Sequence, residues 1–319
     1  MTFLQALLLG ILQGLTEFLP VSSTAHMAII PQLVGMKDPG STFSAIVQLG
    51  PIVAIVSYFR NDLGRYLSGI LRTKSPKNIA KDDLDARLGW YTALGTLPLV
   101  VFGVLLEKKI DTVFRSPYVI ACSLIGLALV LVVAEKVGKK KLGLEKMTLE
   151  QSQFIGWAQV LALVPGTSRS GVTITAGLFT GLNRESAARF SFLLSIPAIT
   201  LAGLYKLFKA FKETKGLGAD VLPYVAAAVV AGIVAYVVIK WFLGYMKEHS
   251  TTGFIIYRIA LGVLLLILLQ THYLKPDTFD KNKSTTEGKP EVTTQRMMPP
   301  AQVKSTPRTS KIFQFSQSV

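Results

Sequence analysis

Six blocks of apolar residues, 42–59, 88–106, 117–135, 186–208, 220–243 and 253–272, each run for close to the length a bilayer demands. A helix needs roughly 20 such residues to cross the hydrocarbon core, where a chain must satisfy its own backbone hydrogen bonds. Charged residues make up 17% of the chain, whereas a soluble protein carries about a quarter. The blocks predict an all-α polytopic membrane protein with six transmembrane helices, and they exclude an ordinary soluble domain.

Two further apolar stretches are broken in the middle: 2–35 at "LPVSST" and 151–182 at "VPGTSRSG". Each runs from an apolar helix into a proline, then small and hydroxyl residues, then a second apolar helix. Each is followed by a span that opens with Phe-Ser and carries a proline, "TFSAIVQLGPIVAI" and "RFSFLLSIPAITLA". Pro20 and Pro165 are separated by nearly the same interval as Pro51 and Pro197. Three spans per half is an odd number, so the second copy lies upside down relative to the first. The expectation is an inverted-topology repeat with two re-entrant helical hairpins, one from each membrane face, whose polar tips meet near the midplane. Its halves, about 1–135 and 151–272, form one integral-membrane domain, 1–272. Residues 273–319, rich in Thr, Ser, Pro and Lys, predict a disordered basic tail.

The net charge of +15 does not predict nucleic-acid binding, because the Lys and Arg lie in loops and the tail, where they set topology. With both termini outside, loops 60–87, 136–150 and 244–252 are cytoplasmic and hold most of the loop cations, including Arg60, Arg65, Arg72, Lys139 and Lys140. The outer connections hold fewer, Lys37, Lys108, Lys109 and Arg115 among them, although the basic 209–215 stretch opposes this orientation. One cysteine, Cys122, precludes an intrachain disulfide. The N-terminal apolar stretch lacks a basic lead-in and runs straight into a polar motif, which argues against a cleaved signal peptide.

The chemistry belongs to the tips. Helix starts after Pro20 and after Pro165-Gly166 expose unpaired backbone N–H groups and partial positive charge, together an anion trap. Arg169 adds a full charge with a fork matched to phosphate oxygens, and an arginine at membrane depth is costly without a functional partner. Ser168, Ser170 and Thr173 surround it with hydroxyls. Thr24 and Thr167 read as ordinary helix-start residues. In the first tip, His26 lies four residues after Ser22 and three after Ser23, so either serine can share its face. A histidine beside a hydroxyl can act as its base or protonate a leaving group. Gln13 and Glu17, also four apart, suit a hard divalent cation that borrows ligands from substrate phosphates. Together these groups point to phosphoryl transfer from a lipid-borne phosphate.

At these residues the chain resembles the undecaprenyl-diphosphatase family, the bacitracin-resistance proteins. The stretches that carry the likeness are "QGLTEFLPVSSTAH", Gln13 to His26, and "PGTSRSGVT", Pro165 to Thr173. The resemblance implies hydrolysis of undecaprenyl diphosphate to the monophosphate, recycling the lipid carrier of peptidoglycan synthesis and conferring bacitracin resistance. It also implies a multi-pass protein of the bacterial cytoplasmic (inner) membrane with its site open to the outer face, a divalent metal (Mg2+ or Ca2+), and a homodimer. Glu17 would be the metal or acid–base carboxylate. Ser23 or His26 would be the nucleophile with the other assisting, Ser22 remaining a third candidate. Ser168, Arg169, Ser170 and Thr173 would hold the diphosphate. The family pattern takes Glu or Gln at Gln13, and the neutral form here puts more of the metal's charge balance on Glu17. Arg184 is a weaker phosphate candidate.

Inverted repeats and broken helices are also the architecture of alternating-access carriers, so a polyprenyl-phosphate flippase is the alternative. A carrier needs the arginine but not a nucleophile with a base. An ion channel fits poorly, because the polar residues cluster in two tips and do not line successive helices.

Overall fold

A computed structural model of the chain describes residues 1–36, 40–80, 82–106, 114, 116–213 and 221–274. The tail from 275 onward, and Lys37, Lys108, Lys109, Arg115 and Lys215, lie outside the described residues. Within them the structure is helical, apart from an isolated bridge between Leu142 and Leu182. The helices are α1 (Phe3–Thr16), α2 (Ser23–Leu33), α3 (Gly40–Val47), α4 (Leu49–Tyr58), α5 (Arg60–Thr73) and α6 (Leu84–Leu105). There follow α7 (Pro117–Val137), α8 (Leu149–Ala158), α9 (Arg169–Phe179), α10 (Arg184–Glu213), α11 (Val221–Glu248) and α12 (Thr252–Gln270).

Five helices, α6, α7, α10, α11 and α12, are long and apolar enough to cross a membrane. This is a polytopic all-α membrane protein. The sixth expected span, 42–59, is α3 and α4 in series, and the chain then turns by 74° into α5. Pro51 lacks the N–H that would bond back to Val47, which weakens the helix where α3 gives way to α4. The stretch expected as a loop, 60–87, is helical from Arg60 to Thr73. That helix exposes Leu67 and Leu71, while Arg65 pairs with Asp62 and Asp85, and Arg72 with Asp83.

The helices flanking the two polar turns are too short to cross. At 1.5 Å per residue, the 14 residues of α1 reach about 21 Å, and α2, α8 and α9 are shorter still. The bilayer core is about 30 Å. Each pair therefore forms a hairpin, α1–α2 and α8–α9.

The two halves align with an offset of 146 residues. Thr2 and Gln5 form a capping box at the start of α1, and Thr148 and Gln151 form the same box at the start of α8. Ser22 caps α2, and Ser168 caps α9. This register pairs Pro20 with Gly166 rather than with Pro165. Packing is reciprocal: α1 of the first half lies along α11 of the second, and α8 of the second lies along α6 of the first. Small residues permit the approach. A Cβ on Gly14 would lie 2.5 Å from the Ala231 carbonyl oxygen, and one on Gly156 would collide with the Gly95 carbonyl. The equivalent helices α7 and α12 pack on each other and close the structure around the tips.

Candidate active site

Both tips begin their second helix in the same unusual way. Ser22 sits at φ 73° and Ser168 at φ 65°, the left-handed region that side chains rarely adopt. Each hydroxyl turns back to accept from the third residue on: Ser22 Oγ from Ala25 N (3.4 Å), Ser168 Oγ from Gly171 N (3.2 Å). Strain of this kind persists only where surrounding structure holds it, and it gathers at functional sites. The tips touch directly: Ser170 Oγ donates to the Leu19 carbonyl at 2.9 Å.

Glu17 is the centre of the cluster, 8% exposed. Its Oε2 accepts from Gln13 Nε2 (2.9 Å) and Ser23 Oγ (2.7 Å). Its Oε1 accepts from Gln48 Nε2 (3.0 Å) and from Arg169 Nη2 across the two tips. Gln13 Nε2 also donates to Gln48 Oε1 at 3.2 Å. A buried carboxylate is tolerable only when paired and hydrogen-bonded; here four donors, one of them cationic, fill its acceptor sites. Arg169 therefore sits beside a carboxylate, a hydroxyl and two amides.

His26 is 3% exposed and stands on a different partner from the serines' side chains. Its Nδ1 is 2.8 Å from the Ser22 carbonyl, which can only accept, so the proton lies on Nδ1. Its Nε2 is 2.6 Å from the hydroxyl of Tyr257, whose ring lies parallel to the imidazole. Sequence spacing suggested that His26 would serve Ser22 or Ser23. Instead Ser23 is held by Glu17, and His26 by Tyr257.

The other expected residues divide. Thr173, fully buried, donates to the Arg169 carbonyl (2.8 Å) and contacts Ser191 Oγ at 2.6 Å, which ties α9 to α10. Ser168 Oγ lies 3.2 Å from Ser170 Oγ. Thr167 bonds the carbonyls of Leu161 and Val164, as a helix-end residue would, and Thr24 is exposed. Arg184 is not brought to the cluster. Its Nε and Nη2 both engage Glu135, 2.8 Å for the ion pair, and Glu135 in turn accepts from the Thr251 N–H and hydroxyl. That cluster joins the ends of α7, α10 and α12 and holds Arg184, the weaker phosphate candidate, on Glu135 and not on Glu17.

Gln48, Tyr257 and Arg258 were not singled out from sequence. Gln48 looked like one amide in an apolar block. Arg258 carried a legible signal, being the lone arginine or lysine within the 253–272 span, and such residues mark function by default.

Among the described residues no three His, Cys, Asp or Glu side chains gather as a metal site. The donors at Glu17 still suit a hard cation. Gln13 and Gln48 each present an oxygen on rotating the amide, and a cation that keeps waters and takes phosphate oxygens asks little more of the protein.

Fold and site together define a class: a helical multi-pass membrane protein with a buried cluster of carboxylate, hydroxyl and guanidinium where two hairpins meet. Residues 6–264 match the family described as Bacitracin resistance protein BacA, and the chain belongs to that family. It is 49% identical over 276 residues to the undecaprenyl-diphosphatase of Chloroherpeton thalassium, a match covering 84% of this chain and 97% of that one. Undecaprenyl-diphosphatases of Chlorobium phaeovibrioides and Chlorobium phaeobacteroides are 46% and 47% identical, each match covering 86% of this chain and all of theirs.

Proposed function

We infer that the chain hydrolyses undecaprenyl diphosphate to undecaprenyl phosphate and inorganic phosphate, and thereby confers bacitracin resistance by removing the species the drug binds. One observation carries the mechanism: Ser23 Oγ donates to Glu17 Oε2 at 2.7 Å while Arg169 holds the other carboxylate oxygen. In this reading the arriving diphosphate draws Arg169 from Glu17, because a forked guanidinium binds phosphate as readily as carboxylate. Glu17, released from its cation, has an oxygen free to accept a proton. Ser23 Oγ then attacks the terminal phosphorus. Its proton passes to Glu17, the Oγ–P bond forms, and the anhydride P–O bond breaks with its electron pair leaving on the lipid monophosphate. Glu17 then sheds that proton to solvent. In the second step water attacks the phosphoryl group, and Glu17 takes the water's proton and returns it to Ser23 Oγ as the Oγ–P bond breaks, releasing inorganic phosphate.

Arg169 and the helix-start N–H groups at Ser23 and Ser170 spread the charge that builds on the phosphoryl oxygens. In this reading His26, once it has taken up a second proton at Nε2, gives that proton to the leaving side, while Tyr257 and the Ser22 carbonyl hold its ring. Ser22, Ser168, Ser170 and Thr173 shape the trap. A divalent cation, Mg2+ or Ca2+, would be held by Glu17, Gln13 and Gln48 and would neutralise charge on the two phosphates when bound. The protein works in the bacterial cytoplasmic membrane with the site open to the outer face, and a homodimer fits the family expectation. The flippase reading draws no support from the relatives' names.

The test is protein purified in detergent, given undecaprenyl diphosphate and magnesium. Phosphate release should vanish with EDTA and fall steeply in Glu17→Ala, Arg169→Ala and His26→Ala. Undiminished release from all three variants would reject this site.

A further inference from the structure

The mechanism leaves one buried charge unused. Arg258 on α12 is fully buried, and all five of its hydrogen bonds go to backbone carbonyls. Nη1 reaches the Pro20 oxygen of the first tip at 3.4 Å. Nη2 reaches the Gly166 and Thr167 oxygens of the second tip at 3.1 and 2.9 Å, and the Ser123 oxygen of α7 at 3.4 Å. Nε reaches Leu124, also on α7, at 3.3 Å. Partial charges on carbonyls replace water around the guanidinium, but none of the five acceptors is a carboxylate.

We propose that Arg258 is a positioning residue that clamps both hairpin tips from behind and makes the resting site cationic. The clamp follows from geometry. The tips belong to different halves of the repeat and touch through side chains, Ser170 on the Leu19 carbonyl and Arg169 on Glu17. One planar fork bonded to carbonyls of both turns fixes how far apart Glu17–Ser23 and Arg169 stand. A misplacement of about 1 Å in such a constellation can cost about 100-fold in rate. The charge follows from a count over the groups at the tips. Arg169 offsets Glu17, so Arg258 leaves an excess positive charge in a low-dielectric setting, where it acts over several ångströms on an incoming phosphate. Gly171 fits the same account. A Cβ there would lie 2.5 Å from Arg258 Nη1, so α9 leaves room for the guanidinium at its first turn. Seated by Gly171 and backed by α7, the fork has one place to be.

This inference rests on the phosphatase reading, and the two can fail separately. The full chain in detergent is compared with Arg258→Lys and Arg258→Met, with thermal midpoints measured alongside. Two quantities are read: kcat and KM on undecaprenyl diphosphate, and binding of inorganic pyrophosphate by calorimetry, which needs no turnover. Arg258→Met should weaken pyrophosphate binding about 10-fold and lower kcat by about 100-fold or more. Arg258→Lys keeps the charge but cannot bridge the same carbonyls. It should bind pyrophosphate within about threefold of the parent while kcat still falls by about 100-fold. Gly171→Ala, which displaces the fork without removing it, should copy the lysine variant and keeps the test alive if Arg258→Met does not fold. Pyrophosphate binding unchanged in Arg258→Met overturns the charge argument. Parental kcat in Arg258→Lys and Gly171→Ala overturns the clamp. Equal losses in all variants that track only the folded fraction reduce Arg258 to scaffolding and also overturn the proposal. A parent chain that binds pyrophosphate but releases no phosphate from lipid would instead sink the phosphatase reading.

Discussion

The first and second hairpin tips share a backbone and divide a chemistry. In both, a Thr–Gln capping box opens the first helix, a serine at positive φ caps the second, and the second helix runs 11 residues. At the shared register of 146 the side chains part company. Glu17 corresponds to Leu163, Ser23 to Arg169, and His26 to Val172. The first tip carries the carboxylate, the hydroxyl and the imidazole; the second carries the cation. The repeat supplies two serine-capped helix starts whose tips touch, and in the proposed mechanism their divergence makes one side reactive and the other a phosphate holder. Had both tips kept a carboxylate, like charges would repel the substrate. Had both carried an arginine at the register of Ser23, the proposed nucleophile would be gone.

Making one tip resemble the other is the way to break this division. The largest effect is expected from Glu17→Leu, which installs the second tip's residue. Phosphate release should fall by about 1,000-fold or more, since base and ligand are lost together. Adding Leu163→Glu should not restore it, because the carboxylate would then stand away from Ser23. Recovery of even a tenth of the parental rate in the double variant would show the tips to be interchangeable. Next comes Arg169→Ser, which gives the second tip the first tip's residue. About 100-fold lower kcat/KM is expected, with much of the loss in KM; a change confined to thermal stability would leave Arg169 a structural partner of Glu17.

The serine caps sharpen what the tips have in common. Glycine accepts φ near 70° without cost, whereas alanine keeps the strain and loses the cap. Ser22→Ala and Ser168→Ala should each lower stability by about 1–2 kcal/mol in thermal unfolding, and the glycine versions by less than about 1. Alanine no worse than glycine at both positions would mean that the strained turn relaxes.

The smallest effect concerns the paired glutamines. Gln13 serves Glu17, whereas Gln159, its counterpart, is fully buried and neither amide atom has a hydrogen-bond partner among the described residues. Gln159→Leu should leave activity intact and change stability by no more than about 1 kcal/mol in either direction, with a gain expected, while Gln13→Leu should slow turnover. Lost activity in Gln159→Leu would reveal a second polar site in the second half of the repeat.

Some of this was legible before any coordinates. The apolar blocks announced the spanning helices because hydrophobic length is a one-dimensional property. The two interrupted stretches announced the hairpins, since proline and hydroxyl runs stop helices locally. Elsewhere the residues were readable but their partners were not. The kinked α3–α4–α5 run looked like one span and a loop, because Pro51 and Phe59 do not advertise an elbow. His26 was assigned to the serines by helical spacing, yet Tyr257, 231 positions away, holds it. Arg184, a weaker phosphate candidate by its sequence, pairs with Glu135, 49 positions away.

What the sequence by itself determined is the set of helices, the two polar turns and the residue types in them, all governed by hydrogen bonding and burial within a few consecutive residues. Only the tertiary structure decided that Glu17 meets Arg169, that Gln48 and Tyr257 complete the centre, and that Arg258 reaches both turns. Those contacts join residues 31 to 238 positions apart, and no local propensity encodes a distance that arises only when α7, α11 and α12 close around the tips.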